Sequence, residues 1–217
     1  MISSNFQKRF FTSIVLLILI LLMINFKLIS TYIVILLGVM SLLEFLQISN
    51  KIFSKTLSRF SVNFVFIIYL FIFCFLFLFF SNHLYLKSIL YIVIFGCVAS
   101  DIGGFFCGKI FKGPKLTKIS PKKTYSGALG SVIFTCVTIS AIIFFFTNIF
   151  SYKIIIISIF ISISCQLGDL MFSFIKRKAK IKDTGNILPG HGGILDRLDG
   201  ILVGVPIGFI AVILIYQ

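Results

Sequence analysis

Seven long apolar runs, separated by short charged stretches, leave this chain few ways to fold. They lie at roughly 10–26, 28–43, 60–80, 84–100, 128–150, 154–171 and 200–216. Most approach the ~20 residues that a helix needs to cross a bilayer. In lipid the backbone must satisfy its own N–H and C=O groups, so only helices and closed barrels cross. Barrel strands alternate apolar and polar residues, and these runs do not. The expectation is an all-α, polytopic membrane helical bundle of about seven transmembrane helices. The second and fourth runs carry the weakest signal, being short or having Tyr85 and Lys87 near one end. Lys8 and Arg9 before the first run resemble a signal peptide, but no small-residue cleavage site follows. That run therefore reads as a retained helix.

The chain carries 20 Lys and Arg against 6 Asp and Glu, a net charge of +14. In a soluble protein that would point to nucleic acid. Here the positive-inside rule is sufficient, and no nucleic-acid partner is expected. With the N-terminus inside, the inner stretches are 1–9, 44–59, 101–127 and 172–199, and they hold seventeen of the twenty basic residues. Only Lys27, Lys87 and Lys153 fall outside. The stretch 45–59, with Lys51, Lys55 and Arg59, suits either an amphipathic helix on the inner surface or a plain linker. The five cysteines sit mostly in apolar segments without a C-x-x-C pair, as buried thiols do. No soluble domain or repeat is visible. The chain divides into N-terminal transmembrane helices, 1–95, and a region 96–217 whose long inner loops, 101–127 and 172–199, are where function belongs.

All six acidic residues, Glu44, Asp101, Asp169, Asp183, Asp196 and Asp199, fall at inner ends of runs or in inner loops. Carboxylates near hydrocarbon are costly and usually face a bundle interior or a wet cavity. On a continuing helix Asp169 shares a face with Ser173 and Lys176. Asp196 and Asp199, three apart, share another face at a helix start, where negative charge is favoured. Hard cations such as Mg²⁺ take oxygen ligands, often a few carboxylates plus substrate phosphates. Asp169, Asp196 and Asp199 suit such a set. Taken alone they suit ion pairs with Lys176, Arg177 and Arg197 better, since ion pairs at helix ends are common.

The turn Pro189-Gly190-His191-Gly192-Gly193 lets main chain approach a ligand, and free amides before a helix attract anions. An ordinary tight turn needs the same glycines. His191 reads as a hydrogen-bonding loop residue rather than a proton carrier, and His83 has no assigned role. Gly103 to Lys109 fits G-x-x-x-x-G-K, but Ile110 follows where Ser or Thr is required, so the match is a decoy. Lys122 and Lys123 beside Thr124 are better phosphate contacts. Attraction to anionic headgroups, worth about 1 kcal/mol per cation, is their other use.

The segment 173–200 resembles the signature of the phosphatidate cytidylyltransferase (CDP-diacylglycerol synthase) family. The match is carried by Ser173, Lys176-Arg177, Lys182-Asp183, Pro189, His191-Gly192-Gly193, Asp196-Arg197 and Asp199, with spacing intact. An upstream block, Ser100-Asp101, Gly108, Ser120-Pro121-Lys122-Lys123-Thr124 and Gly127, is similar to a second block of that family, and Gly168-Asp169 to a third. The resemblance covers about residue 95 to the end. It departs at Tyr125-Ser126, where relatives usually have an aromatic and then Glu, and at Phe172, often Glu. Both differences remove a carboxylate. The chain is also short for the family by about one N-terminal span.

The resemblance implies that CTP and phosphatidic acid give CDP-diacylglycerol and pyrophosphate. It implies Asp169, Asp196 and Asp199 on Mg²⁺, in a clamp with room for a second cation. Lys176 and Arg177 would hold triphosphate or lipid phosphate, with Lys122 and Lys123 at the rim and Gly192 and Gly193 cradling a phosphate. Ser173, His191 and Arg197 complete the substrate-binding set. Membrane lipids are expected partners, and a homodimer is left open. The absence of an organelle presequence favours a bacterial inner membrane with cytoplasmic active-site loops. A CDP-alcohol phosphatidyltransferase would need Asp-Gly-x-x-Ala-Arg, but Asp199-Gly200 is followed by Ile201-Leu202-Val203-Gly204. A transporter would place charges near midmembrane, whereas every carboxylate here lies at the inner edge.

Overall fold

The computed structural model describes residues 15, 18–117, 120–121, 123–185, 187 and 192–216. Six long helices hold most of them: α1 (Lys27–Ile52), α2 (Thr56–Ser81), α3 (Leu84–Phe111), α4 (Tyr125–Thr147), α5 (Tyr152–Lys178) and α6 (Leu195–Tyr216). All six are long and apolar enough to cross a membrane. A helical stretch over 18–25 precedes α1, within the first apolar run; most of the rest of that run lies outside the described residues. Outside the helices an isolated bridge pairs Lys115 with Thr124. The chain is all-α, as its apolar runs predict. Leu28, Phe71 and Phe145 are 74%, 71% and 79% exposed, apolar surface that suits lipid rather than water.

Each helix ends close to its apolar run on the side expected to face outward, and overruns it on the other. α1 continues to Ile52, α3 to Phe111 and α5 to Lys178, while α4 starts at Tyr125 and α6 at Leu195. On that other side the helices leave only 53–55, 112–124 and 179–194 between them, so much of the expected loops is helical. The stretch 45–59 is neither a separate surface helix nor a linker, because 45–52 completes α1 and 56–59 opens α2. Lys, Arg and Gln propagate a helix nearly as well as Leu, so leaving the apolar run is no reason to stop. Backbone turns make the stops instead. Lys112 and Gly113 follow α3 with φ of 52° and 107°, and Lys180 follows α5 with φ of 56°. The fourth run keeps its full length, since α3 begins at Leu84 despite Tyr85 and Lys87.

The chain divides into two compact units: Met1–Leu84 with Ile175–Leu198, and Tyr85–Phe174 with Asp199–Gln217. Both α5 and α6 contribute residues to each. In the first unit α1 and α2 pack antiparallel. Phe45 stacks on Phe66 with centroids 3.7 Å apart, and the Cys74 thiol approaches the Val34 carbonyl at 4.0 Å. Ile48 and Leu70 are buried with them.

In the second unit a polar seam crosses α3, α4 and α5. Ser131 Oγ donates to the Ser100 carbonyl at 2.8 Å. The Ser100 and Ser162 hydroxyls meet at 3.1 Å, and Gln166 Nε2 reaches Ser162 Oγ at 3.2 Å. Such contacts between membrane helices contribute roughly 0.6 to 2 kcal/mol each. The glycines that imitate a phosphate loop belong to this packing. A Cβ on Gly103 would lie 2.6 Å from the Gly130 carbonyl oxygen, so Gly103 serves the close approach of α3 to α4.

Candidate functional site

The first unit builds its polar centre where the chain leaves α5 and re-enters as α6. Lys176 and Asp196 form a buried pair, Nζ to Oδ1 2.6 Å, with side chains 11% and 7% exposed. The other carboxylate oxygen of Asp196 accepts from Thr184 N at 2.8 Å and from Gly193 N at 3.0 Å. One aspartate in the first turn of α6 therefore closes the loop onto itself. Gly192 has φ of 87°, a conformation that favours glycine. A Cβ there would lie 2.9 Å from Asp196 Oδ2 and 3.3 Å from Asp183 Cβ.

Glu44 reaches the same loop from α1. It is 2% exposed. Its Oε1 accepts from Ile194 N at 2.9 Å, and its Oε2 accepts from Thr184 Oγ1 at 2.6 Å and Leu195 N at 2.9 Å. These amides open α6, whose unpaired N–H groups and positive dipole end favour a carboxylate. The amide site expected to attract a substrate phosphate is thus largely occupied by the chain's own Glu44 and Asp196. The Gly193 amide, expected to cradle a phosphate, is committed to Asp196.

The same unit holds Arg177, whose Nη1 donates to the Ile181 carbonyl at 3.2 Å and ties the turn after α5. Lys178 stands 5.4 Å over the Phe53 ring. Three cations in the last turn of α5, Lys176, Arg177 and Lys178, complement the negative end of its dipole. Arg177, Lys180, Lys182 and Arg197 are exposed.

The second unit carries a different centre. Asp169 on α5 accepts from Ser173 Oγ one turn on at 3.3 Å and pairs with Lys123, and the side chains of Lys123 and Asp169 are 23% and 33% exposed. The expected alignment of Asp169 with Ser173 is present, and Lys123 joins them. Short main-chain bonds place Lys123: its carbonyl accepts from Leu116 N at 2.8 Å, and its N–H donates to Ser120 O at 3.0 Å. Thr124 caps α4, its Oγ1 accepting from Gly127 N at 3.1 Å. Asp199 is buried, and its Oδ1 accepts from Gly200 N at 2.9 Å. The chains carrying the two aspartates touch, since a Cβ on Gly168 would lie 2.5 Å from the Asp199 carbonyl oxygen. Asp101 stands nearby, with Oδ1 3.8 Å from the Cys165 sulfur.

The two departures from the family pattern have structural uses. Ser126 donates to the Lys112 carbonyl, tying the start of α4 to the end of α3. Phe172 is 2% exposed and belongs to the core. Of the expected site residues, Lys122 and His191 lie outside the described residues, as do Pro189 and Gly190.

The donors differ in how well they suit Mg²⁺. Asp169 and Asp199 offer hard carboxylate oxygens, and that of Asp169 is partly exposed. Asp196 carries the Lys176 ammonium on Oδ1 and two amides on Oδ2, which leaves less of it open to an ion. Among the described residues no three His, Cys, Asp or Glu side chains form a ready metal cluster.

Sequence reasoning placed Asp196, Lys176, Asp169, Ser173 and Lys123 in polar centres but gave Glu44 no part. The available signal was its position, a lone carboxylate between Leu42-Leu43 and Phe45-Leu46, where only a satisfied or functional charge is tolerated.

The model of the cytidylyltransferase family matches residues 1–215. The chain belongs to the cytidylyltransferase family. A phosphatidate cytidylyltransferase of Helicobacter pylori is 45% identical over 114 residues, 49% of this chain and 40% of the relative. One from Rickettsia felis is 41% identical over 134 residues, 57% of this chain and 59% of the relative. One from Mycobacterium leprae is 40% identical over 116 residues, 52% and 36% respectively. The chain thus spans about half the length of the curated relatives it matches. As a member of the cytidylyltransferase family it extends the resemblance seen from residue 95 onward to the N-terminal helices, where Glu44 lies.

Proposed function

We propose that this chain is a phosphatidate cytidylyltransferase of phospholipid biosynthesis, acting in a bacterial inner membrane with its loops on the cytoplasmic side. A phosphate oxygen of phosphatidic acid attacks the α-phosphorus of CTP. The new P–O bond makes CDP-diacylglycerol, and the bond to the bridging oxygen breaks as pyrophosphate leaves with its electron pair. The attacking phosphate is already anionic, so no side chain need remove a proton. Such a reaction depends on alignment and neutralisation of charge.

The observation that carries this reading is the family match over residues 1–215, with relatives of that name at 40% to 45% identity. The site chemistry supports it. Asp169 and Asp199 would hold Mg²⁺, leaving most of its shell to water and phosphate oxygens; when bound, the ion supplies charge neutralisation on the triphosphate. Lys123, on the partly exposed side of Asp169, would take a phosphate oxygen. Exposed Arg177 would grip a phosphate with two parallel N–H groups, and Arg197 would contact substrate from α6. Lys176, already paired with Asp196, acts in the loop's architecture more than in contact with substrate.

The test is incorporation of α-labelled CTP into lipid by the purified chain, with and without phosphatidic acid and across a Mg²⁺ titration. The expected result is labelled CDP-diacylglycerol requiring both. No labelled lipid at saturating CTP, phosphatidic acid and Mg²⁺ overturns the reading.

A further inference from the structure

The donors on Glu44 come from both ends of one loop. Thr184 precedes the segment 185–193, and Ile194 and Leu195 follow it. A single buried carboxylate therefore closes this segment into a ring, from a helix 140 to 151 residues earlier in the chain. The loop is shaped to admit it. A Cβ on Gly185 would lie 2.7 Å from Glu44 Oε1, and one on Gly193 would collide with the same carboxylate. Asp196 makes a second closure across the same two ends, through Thr184 N and Gly193 N. Asp196 belongs to the 173–200 signature, whereas Glu44 lies outside every block that carried the resemblance.

We infer that Glu44 is a positioning residue for the reaction. It sets the span between Thr184 and Leu195, the two ends that flank the Pro-x-His-Gly-Gly segment, without touching substrate. This inference rests on the proposed reading that the segment meets the phosphates of CTP. It gives α1 a part in nucleotide binding beyond membrane anchoring.

Glu44→Gln preserves the shape but offers one acceptor oxygen where the carboxylate offers two. Full-length wild type and E44Q are compared by thermal unfolding, by CTP kinetics at saturating phosphatidic acid, and by amide hydrogen exchange of 184–195. The expected E44Q is folded, exchanges faster at Ile194 and Leu195, and has a CTP KM raised by about 10-fold or more, as losing a buried charge-assisted hydrogen bond implies. Its KM for phosphatidic acid stays unchanged. A folded E44Q with wild-type CTP kinetics and exchange overturns the inference. So does loss of thermal stability with an unchanged KM, which is the mark of a purely structural group. If E44Q does not fold, Thr184→Val removes one donor alone and should move CTP KM and exchange the same way by less; no change overturns the inference. Exchange needs no turnover, so a wild type inactive with CTP refutes the reaction while the exchange arm still tests the loop closure.

Discussion

In the first unit Glu44 and Asp196 accept six hydrogen bonds between them, counting the Lys176 ammonium. In the second, among the described residues, Asp169 meets one hydroxyl and one ammonium, and its side chain remains a third exposed. Both centres place carboxylates near a helix end and beside lysines, so by composition they look alike. Their hydrogen bonding separates them. A carboxylate whose acceptor sites are filled by its own chain holds shape and has little left for an ion. One that is sparsely bonded and reachable can bind. The contrast gives Glu44 and Asp196 a visible architectural use, and leaves Asp169 the more open to a ligand.

Asp196→Ala should expose this difference most strongly. It takes away the carboxylate that holds Lys176 and leaves the Thr184 and Gly193 amides without their acceptor, at a cost of about 3–5 kcal/mol. Thermal unfolding in detergent should show it, and the double variant Lys176→Met/Asp196→Asn should recover part of the loss. Asp169→Asn comes next and should reverse the pattern. Turnover should fall by about 10²–10³-fold, the scale of losing one group that stabilises developing charge, with little change in melting temperature. If Asp169→Asn unfolds the protein while Asp196→Ala only slows it, the contrast is inverted. Gly103→Ala should cost about 1–3 kcal/mol through overpacking against Gly130 and Phe134. CTP KM should not change, whereas a true phosphate loop would raise it. Lys123→Met should be the mildest, with at most about 1 kcal/mol of stability at a partly exposed pair, and a measurable rise in CTP KM.

The apolar core of each helix was legible because hydrocarbon thickness imposes it on the sequence. The charged ends were not, since Lys109 and Arg177 carry no apolar signal yet continue α3 and α5 as good helix formers. Asp169 with Ser173 was readable from helical spacing, which works within a turn or two. No such periodicity links Thr184 N to Asp196 across a loop, so the turn that Asp196 closes could not be read. Glu44 illustrates the limit more sharply. Its burial cost could be read from Leu42-Leu43 and Phe45-Leu46, but its three donors lie in another part of the chain. Ser126 and Phe172 were visible as missing carboxylates, while their uses, a tie to Lys112 and a place in the core, needed the fold.

The reach of Glu44 also bears on the order in which the protein is made. A ribosome delivers α1 early, and none of the groups that bond this carboxylate exists until residues 184–195 have been synthesised. Chains fold broadly from the N-terminus as they emerge, and loops this long close late. Until then the Glu44 carboxylate lacks these donors, a reason for that end of α1 to stay in reach of water. A chain stopped before Leu195 would leave that debt standing, so the last helix completes the first.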